Sequence, residues 1–349
     1  MKTLMTLVVC PIIAVAAINE AHLSAYVIDV NDMTPLRGVE MVASFEDDIG
    51  WRAWTDSPKP DIVRAISDSN GICRFRGRTN CGRSSCWIEK LPDGYYKPPL
   101  GSGIIKYDKR SMFGVWQPEN IVVTIALQRV ECPIPLYVRH VQAPRSNNNV
   151  VTWDGTNSIL KYDFIIGDWL PPAGSGKCAD MVIATHLQVG DALQIWRHVE
   201  KITFYDFISS IEFPGEGNGL CEKIFDNAHS GIKIRKAPDA GYNHTKIIRV
   251  GRTKRKEGPN IFPKDYDEYD KSRCYCFRIR SKFDDKGNLV EAYYGKVYDD
   301  FKIGAHIDTG LNVIRFLYYL NLKSLDRNLE WDMKNNLCPN PGRIDPLQP

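Results

Sequence analysis

Charge of one sign and long apolar runs are both scarce in this chain. Lys and Arg together number 45 against 42 Asp and Glu, a formal net charge of +3. That balance argues against phosphate backbones and acidic lipid surfaces, so nucleic acid is excluded as a partner. Beyond residue 17 no stretch reaches the roughly 18 apolar residues of a membrane-spanning helix, which leaves no expected transmembrane segment after the leader. Catalytic and metal motifs are missing as well. The seven histidines (His22, His140, His186, His198, His229, His244 and His306) never take HExxH or HxH spacing. No CxxC pair offers a structural zinc site, and no GxSxG elbow presents a serine nucleophile. Neither a cofactor nor a metal is expected.

Two partial motifs fail on chemistry. GSGKC at 174–178 suggests a phosphate loop, but Pro171 stands where the first glycine belongs and Cys178 replaces the Mg²⁺-binding hydroxyl. A glycine-rich turn is the better reading. HIDTG at 306–310 resembles the Asp-Thr-Gly of aspartic proteases, yet that chemistry needs two carboxylates sharing a proton, and no second DTG or DSG exists.

What is present begins with MKTLMTLVVCPIIAVAA. Lys2 supplies a basic start, Leu4 to Ala17 an apolar run, and Ala14-Val15-Ala16 a small-residue cleavage site, so residues 1–16 are expected to be a signal peptide. An exported chain would reach the periplasm, the cell surface or the medium. A lipoprotein reading of LVVC at Cys10 is poor, because the valine before it is bulky and the apolar run continues. The apolar fraction of 43% and charged fraction of 25% are those of a folded chain, with length for two domains.

Once Cys10 leaves with the leader, Cys73, Cys81, Cys86, Cys132, Cys178, Cys221, Cys274, Cys276 and Cys338 remain. In an oxidising compartment some should pair, and their odd number leaves at least one over. Cys81 and Cys86 close the small loop CGRSSC and are the first disulfide candidate. The alternative is that several are small, half-buried apolar residues. Cys274 and Cys276, two apart on a strand, share a face, and joining them directly would strain the backbone.

Periodicity of two dominates the chain. Val39, Met41, Ala43 and Phe45 alternate with Glu40, Val42, Ser44 and Glu46, while Ile121, Val123, Ile125 and Leu127 share one face of IVVTIAL. TPLRG and SDSNG supply turns. Several short strands at this spacing indicate a β-sandwich over 24–131. ECPIPLYVRHVQAP, with two prolines, is expected to hold a linker at 132–144. A larger β-rich domain follows over 145–338, then an irregular tail at 339–349. Within it, Tyr275, Phe277, Ile279 and Phe283 are expected on one face and Cys274, Cys276, Arg278, Arg280 and Lys282 on the other. DDKGN should turn that strand into LVEAYYGKVY. Met181, Ile183, Leu187 and Val189 form another row, and LQVGDALQIWRHVEK reads as part of a long hairpin ending in KITFYDF. Ile314, Phe316, Tyr318 and Leu320 form one more inward row.

YVIDVNDMTPLRGVEMVASF, SDSNGICRFRGRTN and IVVTIAL resemble carboxypeptidase regulatory-like domains, also called transthyretin-like. The resemblance implies an immunoglobulin-like sandwich acting as an accessory, non-catalytic module. IPLYVRHV, FIIGDWLPPAGSGKCADMVIA, FRIRSKFDDKGNLVEAYYGKVYDD and RNLEWDMKNNL resemble a family of exported bacterial proteins with no assigned biochemical role. That likeness implies an all-β domain and carries over no catalytic residue. Gly167, Asp168, Trp169, Gly176, Lys177 and Asp180 match it and are expected to serve turns and packing.

The expected fold is therefore all-β: an Ig-like or transthyretin-like sandwich followed by a larger, jelly-roll-like one. Trp51, Trp54, Tyr95 and Tyr96 fall in loops of the first domain, where flat rings could stack on sugar faces, although such rings also fill small cores. The opposite charges of KIIRVGRTKRKEG and KDYDEYDKSR are expected to cancel in a long solvated loop. No catalytic residue is assigned. The expected role is binding or structural work on a glycan or a cell-surface or periplasmic protein. The alternative is a carbohydrate-active hydrolase with a carboxylate pair in the C-terminal domain.

Overall fold

The computed structural model describes residues 19–46, 60–96, 98, 103–111, 114–142, 145–146, 149–150, 157–193, 202–224, 234–257, 260–270, 272–306 and 311–341. Among them every regular element is a strand. The chain divides into two compact units, 1–129 and 130–349.

In the first unit, β1 (Glu20–Asp29) pairs antiparallel with β4 (Ile72–Arg78) and parallel with β9 (Ile121–Leu127). A second sheet runs β3 (Asp61–Ile66), β2 (Glu40–Glu46), β5 (Arg83–Lys90) and β6 (Ile105–Lys106). A short ribbon joins β7 (Lys109–Arg110) to β8 (Trp116–Gln117). Inward residues of both sheets meet in one core. Leu23, Val27, Met41, Ala43, Phe45, Phe75 and Leu127 are almost wholly shielded. The alternation of Val39, Met41, Ala43 and Phe45 holds, and Val42 is buried too.

The second unit contains β10 (Ile134–Gln142), the ribbon β11 (Arg145–Ser146) and β12 (Asn149–Val150), then β13 (Asn157–Asp163) and β14 (Asp168–Trp169). Next come β15 (Met181–Leu193), β16 (Ile202–Glu212), β17 (Gly219–Ile224), β18 (Thr245–Glu257) and β19 (Asn260–Asp267). It ends with β20 (Arg273–Phe283), β21 (Leu289–His306), β22 (Leu311–Asn321) and β23 (Trp331–Asn336). Two six-stranded sheets result, ordered β17-β20-β21-β22-β10-β23 and β14-β13-β15-β16-β18-β19. Between them lies an aromatic core of Tyr162, Phe164, Trp169, Phe213, Phe277, Phe316 and Tyr318. Phe164 stacks on Phe277 with ring centroids 4.5 Å apart and meets Tyr318 edge-on at 4.9 Å. Each such buried ring contributes about 1.5–3 kcal/mol from burial alone.

The linker expected at 132–144 is instead a strand. β10 lies between β22 and β23, with Leu136, Tyr137, Val138 and Val141 buried. Pro135 is tolerated there because the β10/β23 register shifts between Ile134 and Leu136, which spares the ladder a missing donor.

The β20–β21 hairpin forms as expected, with Tyr275, Phe277 and Ile279 inward, but Phe283, expected on the same face, is exposed because the register shifts between Ile279 and Phe283. Its opposite face is not polar throughout, because a second apolar layer of Cys276, Ala237, Ala292, Tyr294 and Leu329 covers the far side of the sheet. β22 is buried on both faces for the same reason: Ile314, Phe316, Tyr318 and Leu320 face the aromatic core, and Leu317 and Tyr319 a smaller cluster with Trp331. The inward row of β15 ends early, Val189 being 54% exposed. β15 and β16 pair as the expected long hairpin. The mixed-charge stretch expected as a loop is instead mostly β18 and β19, paired antiparallel with β18 also against β16, so these charged residues lie at a sheet edge.

Candidate functional site

The densest polar constellation grows from the loop between β13 and β15. Gly167 turns there at φ +75°, and a Cβ on it would lie 2.2 Å from the Tyr137 hydroxyl oxygen, so no larger residue fits. The chain then folds GSGKC back over its own carboxylates. The Ser175 N–H and hydroxyl donate to Asp168 Oδ2 at 2.8 and 2.7 Å. The N–H groups of Lys177 and Cys178 both donate to Asp163 Oδ2 at 3.0 Å, and those of Ile165 and Ile166 to Asp163 Oδ1. The amides that resemble a phosphate cradle in sequence hold aspartates of the protein itself.

Arg280 closes the cluster from β20. Its Nε and NH2 fork onto Asp180 at 2.8 and 3.0 Å, and NH2 reaches Asp163 Oδ1 at 2.8 Å. Asp180 also accepts the Phe164 N–H at 2.9 Å. Arg280 reaches both because β20 carries one extra residue between Ile279 and Lys282, a bulge that puts Arg280 at φ +53°. Sequence alternation placed Arg280 on the outer row with Arg278 and Lys282, and the bulge is what overturns that placement. Burial works to raise the Asp163 carboxyl, but the amides of Ile166, Cys178 and Lys177, with Arg280, outweigh it and hold it below its ordinary value. In Asp180 burial wins against Arg280, and its carboxyl is raised. Gly167, Asp168, Trp169, Gly176, Lys177 and Asp180 therefore meet in one loop system, Trp169 buried with its indole N–H on Gln142 O at 3.0 Å.

A second polar site is a cavity of about 590 Å³ in the same unit, walled by residues 131–132, 235–236, 325–328 and 330. The buried Glu330 carboxylate accepts the N–H groups of Glu131 and Cys132 at 2.9 and 2.6 Å, and Arg235 reaches Glu131 at 2.5 Å. Asn328 Nδ2 donates to Cys132 O at 2.7 Å, and Arg327 pairs with Asp239. Cations and carboxylates alternate in this wall, which suits a hydroxyl-rich or zwitterionic group better than one of single charge. No ring stands among its lining residues. Next to Arg235, the Ile234 carbonyl accepts a hydrogen bond from Lys296, whose Nζ lies 3.0 Å away and 5.0 Å from the Tyr319 ring centre. Burial pulls this amine down to about 8.

The expected sugar platform does not form from its described members. Tyr96 is 5% exposed, too enclosed to stack on a ligand. Tyr95 packs against the first core, donates its hydroxyl to Asp29 Oδ2 at 3.0 Å, and carries the Arg129 guanidinium 5.8 Å from its ring centre. Trp51 and Trp54 lie outside the described residues, as does the Asp-Thr-Gly at 308–310. Cys81 and Cys86 are not joined to each other. Cys86 points into the core from β5, whereas the Cys81 thiol in the preceding turn donates to Glu46 O at 3.1 Å. Cys81 lies in the turn before β5 and Cys86 within the strand, so the two sulfurs have different surroundings. Among the described residues no group of three or more His, Cys, Asp or Glu is placed to hold a metal, and no helix is long and apolar enough to cross a membrane.

No family model and no curated protein matches this chain. Among solved structures it is similar to BcpA, the major pilin subunit of Bacillus cereus, at 10% identity over 85% of this chain and 95% of that one, TM-score 0.23. It is also similar to the full-length major pilin SpaD of Corynebacterium diphtheriae, at 8% identity over 77% and 90%, TM-score 0.24. A third is the shaft pilin SpaA of Lactobacillus rhamnosus GG, at 9% identity over 57% and 89%, TM-score 0.23. Likenesses at these scores carry no argument about what the chain does, and its function is read from its own geometry.

Proposed function

We propose that this chain is an exported, non-catalytic binding or structural protein, built of two sandwich units, that recognises a glycan or a protein partner outside the cytoplasm. One observation carries the reading. The strongest cluster of ionisable groups, Asp163, Asp180 and Arg280, has its charges turned on one another and on backbone amides, so its chemistry goes into holding a loop system. The apolar leader at 4–17 supports export. The charge-balanced cavity beside Arg235 is the natural place for a hydroxyl-rich ligand, because it presents donors and acceptors together.

The test is a glycan array and a pull-down with the chain lacking residues 1–16, repeated with Arg235→Ala. Binding without product release, weakened at least tenfold by that substitution, is the expected result. Turnover of any glycan or peptide overturns the non-catalytic reading. Binding indifferent to Arg235→Ala moves the ligand elsewhere.

A further inference from the structure

Register places two cysteines opposite each other at the edge of the first sheet of unit 130–349. Cys221 on β17 pairs directly with Cys276 on β20, and the same row continues to Lys296 on β21 and Tyr319 on β22. Directly opposed residues send their side chains to one face with Cβ atoms about 4.5–5.5 Å apart. The kind of pair follows from the neighbouring residue. Leu220 exchanges both backbone hydrogen bonds with Asn243, so its N–H and C=O point away from β20. Those of Cys221 therefore point toward β20, and Cys221/Cys276 is a hydrogen-bonded pair, whose Cα atoms lie about 5.5 Å apart. A disulfide spans Cα separations of about 4.4–6.8 Å. Both sulfurs also belong to one apolar cluster with Ala237, Tyr294 and Leu329.

We propose that Cys221 and Cys276 are a disulfide-forming pair that staples edge strand β17 to β20 when the protein meets a low-molecular-weight or protein disulfide. The Cβ atoms must close by about 1 Å. β17 can give that distance, because among the described residues its other edge pairs through a single isolated bridge, Leu220 to Asn243. Chemistry sets the order of events. Burial, the dominant influence, pushes the Cys276 thiol up to about 12, with Lys296 working the other way. Cys221, the more exposed of the two, therefore attacks the oxidant disulfide first. That attack breaks the oxidant's S–S bond, forms a mixed disulfide on Cys221 and releases one thiolate. Cys276 then gives up its proton and attacks the Cys221 sulfur, expelling the second thiolate. The protein loses two electrons and two protons, and the oxidant becomes two thiols. A stapled β17 is also a guarded edge, less able to pair with a foreign strand.

The experiment uses the full-length chain equilibrated with oxidised glutathione, unfolded in iodoacetamide without reductant, and mapped by mass spectrometry. Expected is a crosslinked peptide pair joining Cys221 to the fragment CYCFR, with backbone fragmentation between Cys274 and Cys276 assigning the link to Cys276. The thermal midpoint should fall by roughly 5–10 °C on reduction of the oxidised protein. No such fall is expected in Cys221→Ser, while Cys178→Ser should behave as wild type. Alkylation of both Cys221 and Cys276 after oxidation, or a link from Cys221 to any other cysteine, overturns the proposal. This mass readout on the wild-type chain stands whether or not the serine variants fold.

Discussion

Arg280 and Asp180 form a two-point ion pair, Nε to Oδ1 at 2.8 Å and NH2 to Oδ2 at 3.0 Å, from a backbone at φ +53°. A non-glycine residue in that region is held against a local cost of about 1–2 kcal/mol. The pair and its third bond to Asp163 offset the cost and join β20 to the loop after β13.

Arg280→Ala removes the guanidinium and leaves two shielded carboxylates facing each other. Breaking a buried pair from one side costs about 3–5 kcal/mol. Arg280→Gly loses the same contacts but relieves the dihedral, so it should be less damaging than alanine by about 1 kcal/mol. Urea titrations of the three proteins give both differences. Equal losses in the two variants would show that the backbone at residue 280 relaxes freely.

The same cluster sets an acid limb. The folded Asp163 carboxyl lies below its unfolded value, so its contribution is present above the unfolded value of about 3.9 and lost as pH falls through the lower folded value. Asp180 has the opposite sign. Its folded value is raised, so its favourable contribution is present below the unfolded value and lost as pH rises through the folded one. Asp163 therefore draws stability down below about pH 4 while Asp180 works against the fall, and Asp163→Asn should make the descent shallower than in wild type. Denaturation midpoints taken between pH 2 and 6 separate the two curves.

Close approach of strands provides a steric test. Phe277 lies across Gly295, its cross-strand partner, and a Cβ there would fall 2.1 Å from the ring. The ring cannot retreat, being stacked on Phe164. Gly295→Ala should therefore cost at least the 1–3 kcal/mol or so typical of overpacking. Gly304→Ala, further along β21, meets nothing nearer than 3.9 Å and should change stability by less than about 1 kcal/mol. Thermal melts of the two variants compare the sites within one strand.

Alternation made the strands legible, and where one face alone is buried it also gave the facing, as at Ile121 to Leu127. It failed where sheets are covered twice. Cys276, Tyr319 and Tyr294 look like the outward half of a period of two, yet each is buried by segments distant in sequence. The strand β10 was hidden by its prolines, whose local meaning is a break, while a bulge in register makes room for one of them. Arg280 was invisible as a site residue because a single inserted residue shifts its phase. The glycine-rich turn at 174–178 was legible as a turn, but its carboxylate guests were not, since Asp163 precedes it by a strand and a loop.

Lys296 offers the sharpest separation of stability from chemistry. Its side chain is 2% exposed, and its amine falls from 10.5 to about 8. A base whose folded value lies below its unfolded one penalises folding wherever it stays charged, so the penalty is full below pH 8. Relief comes as pH rises from about 8 toward the unfolded value of about 10.4, because the unfolded chain then binds more proton. The penalty at neutral pH amounts to about 3 kcal/mol at most, less whatever the hydrogen bond to Ile234 O returns. Lys296→Met keeps the length of the side chain and removes the charge. It should raise stability at pH 7 by about 1–3 kcal/mol, and the advantage over wild type should shrink between pH 8 and 10. Reading the difference between the two proteins at each pH cancels the cysteines, whose thiols in the unfolded chain titrate in the same window. A variant less stable than wild type at pH 7, with a gap independent of pH, would mean that the amine holds its position as a charged partner of Glu330 and the Ile234 carbonyl.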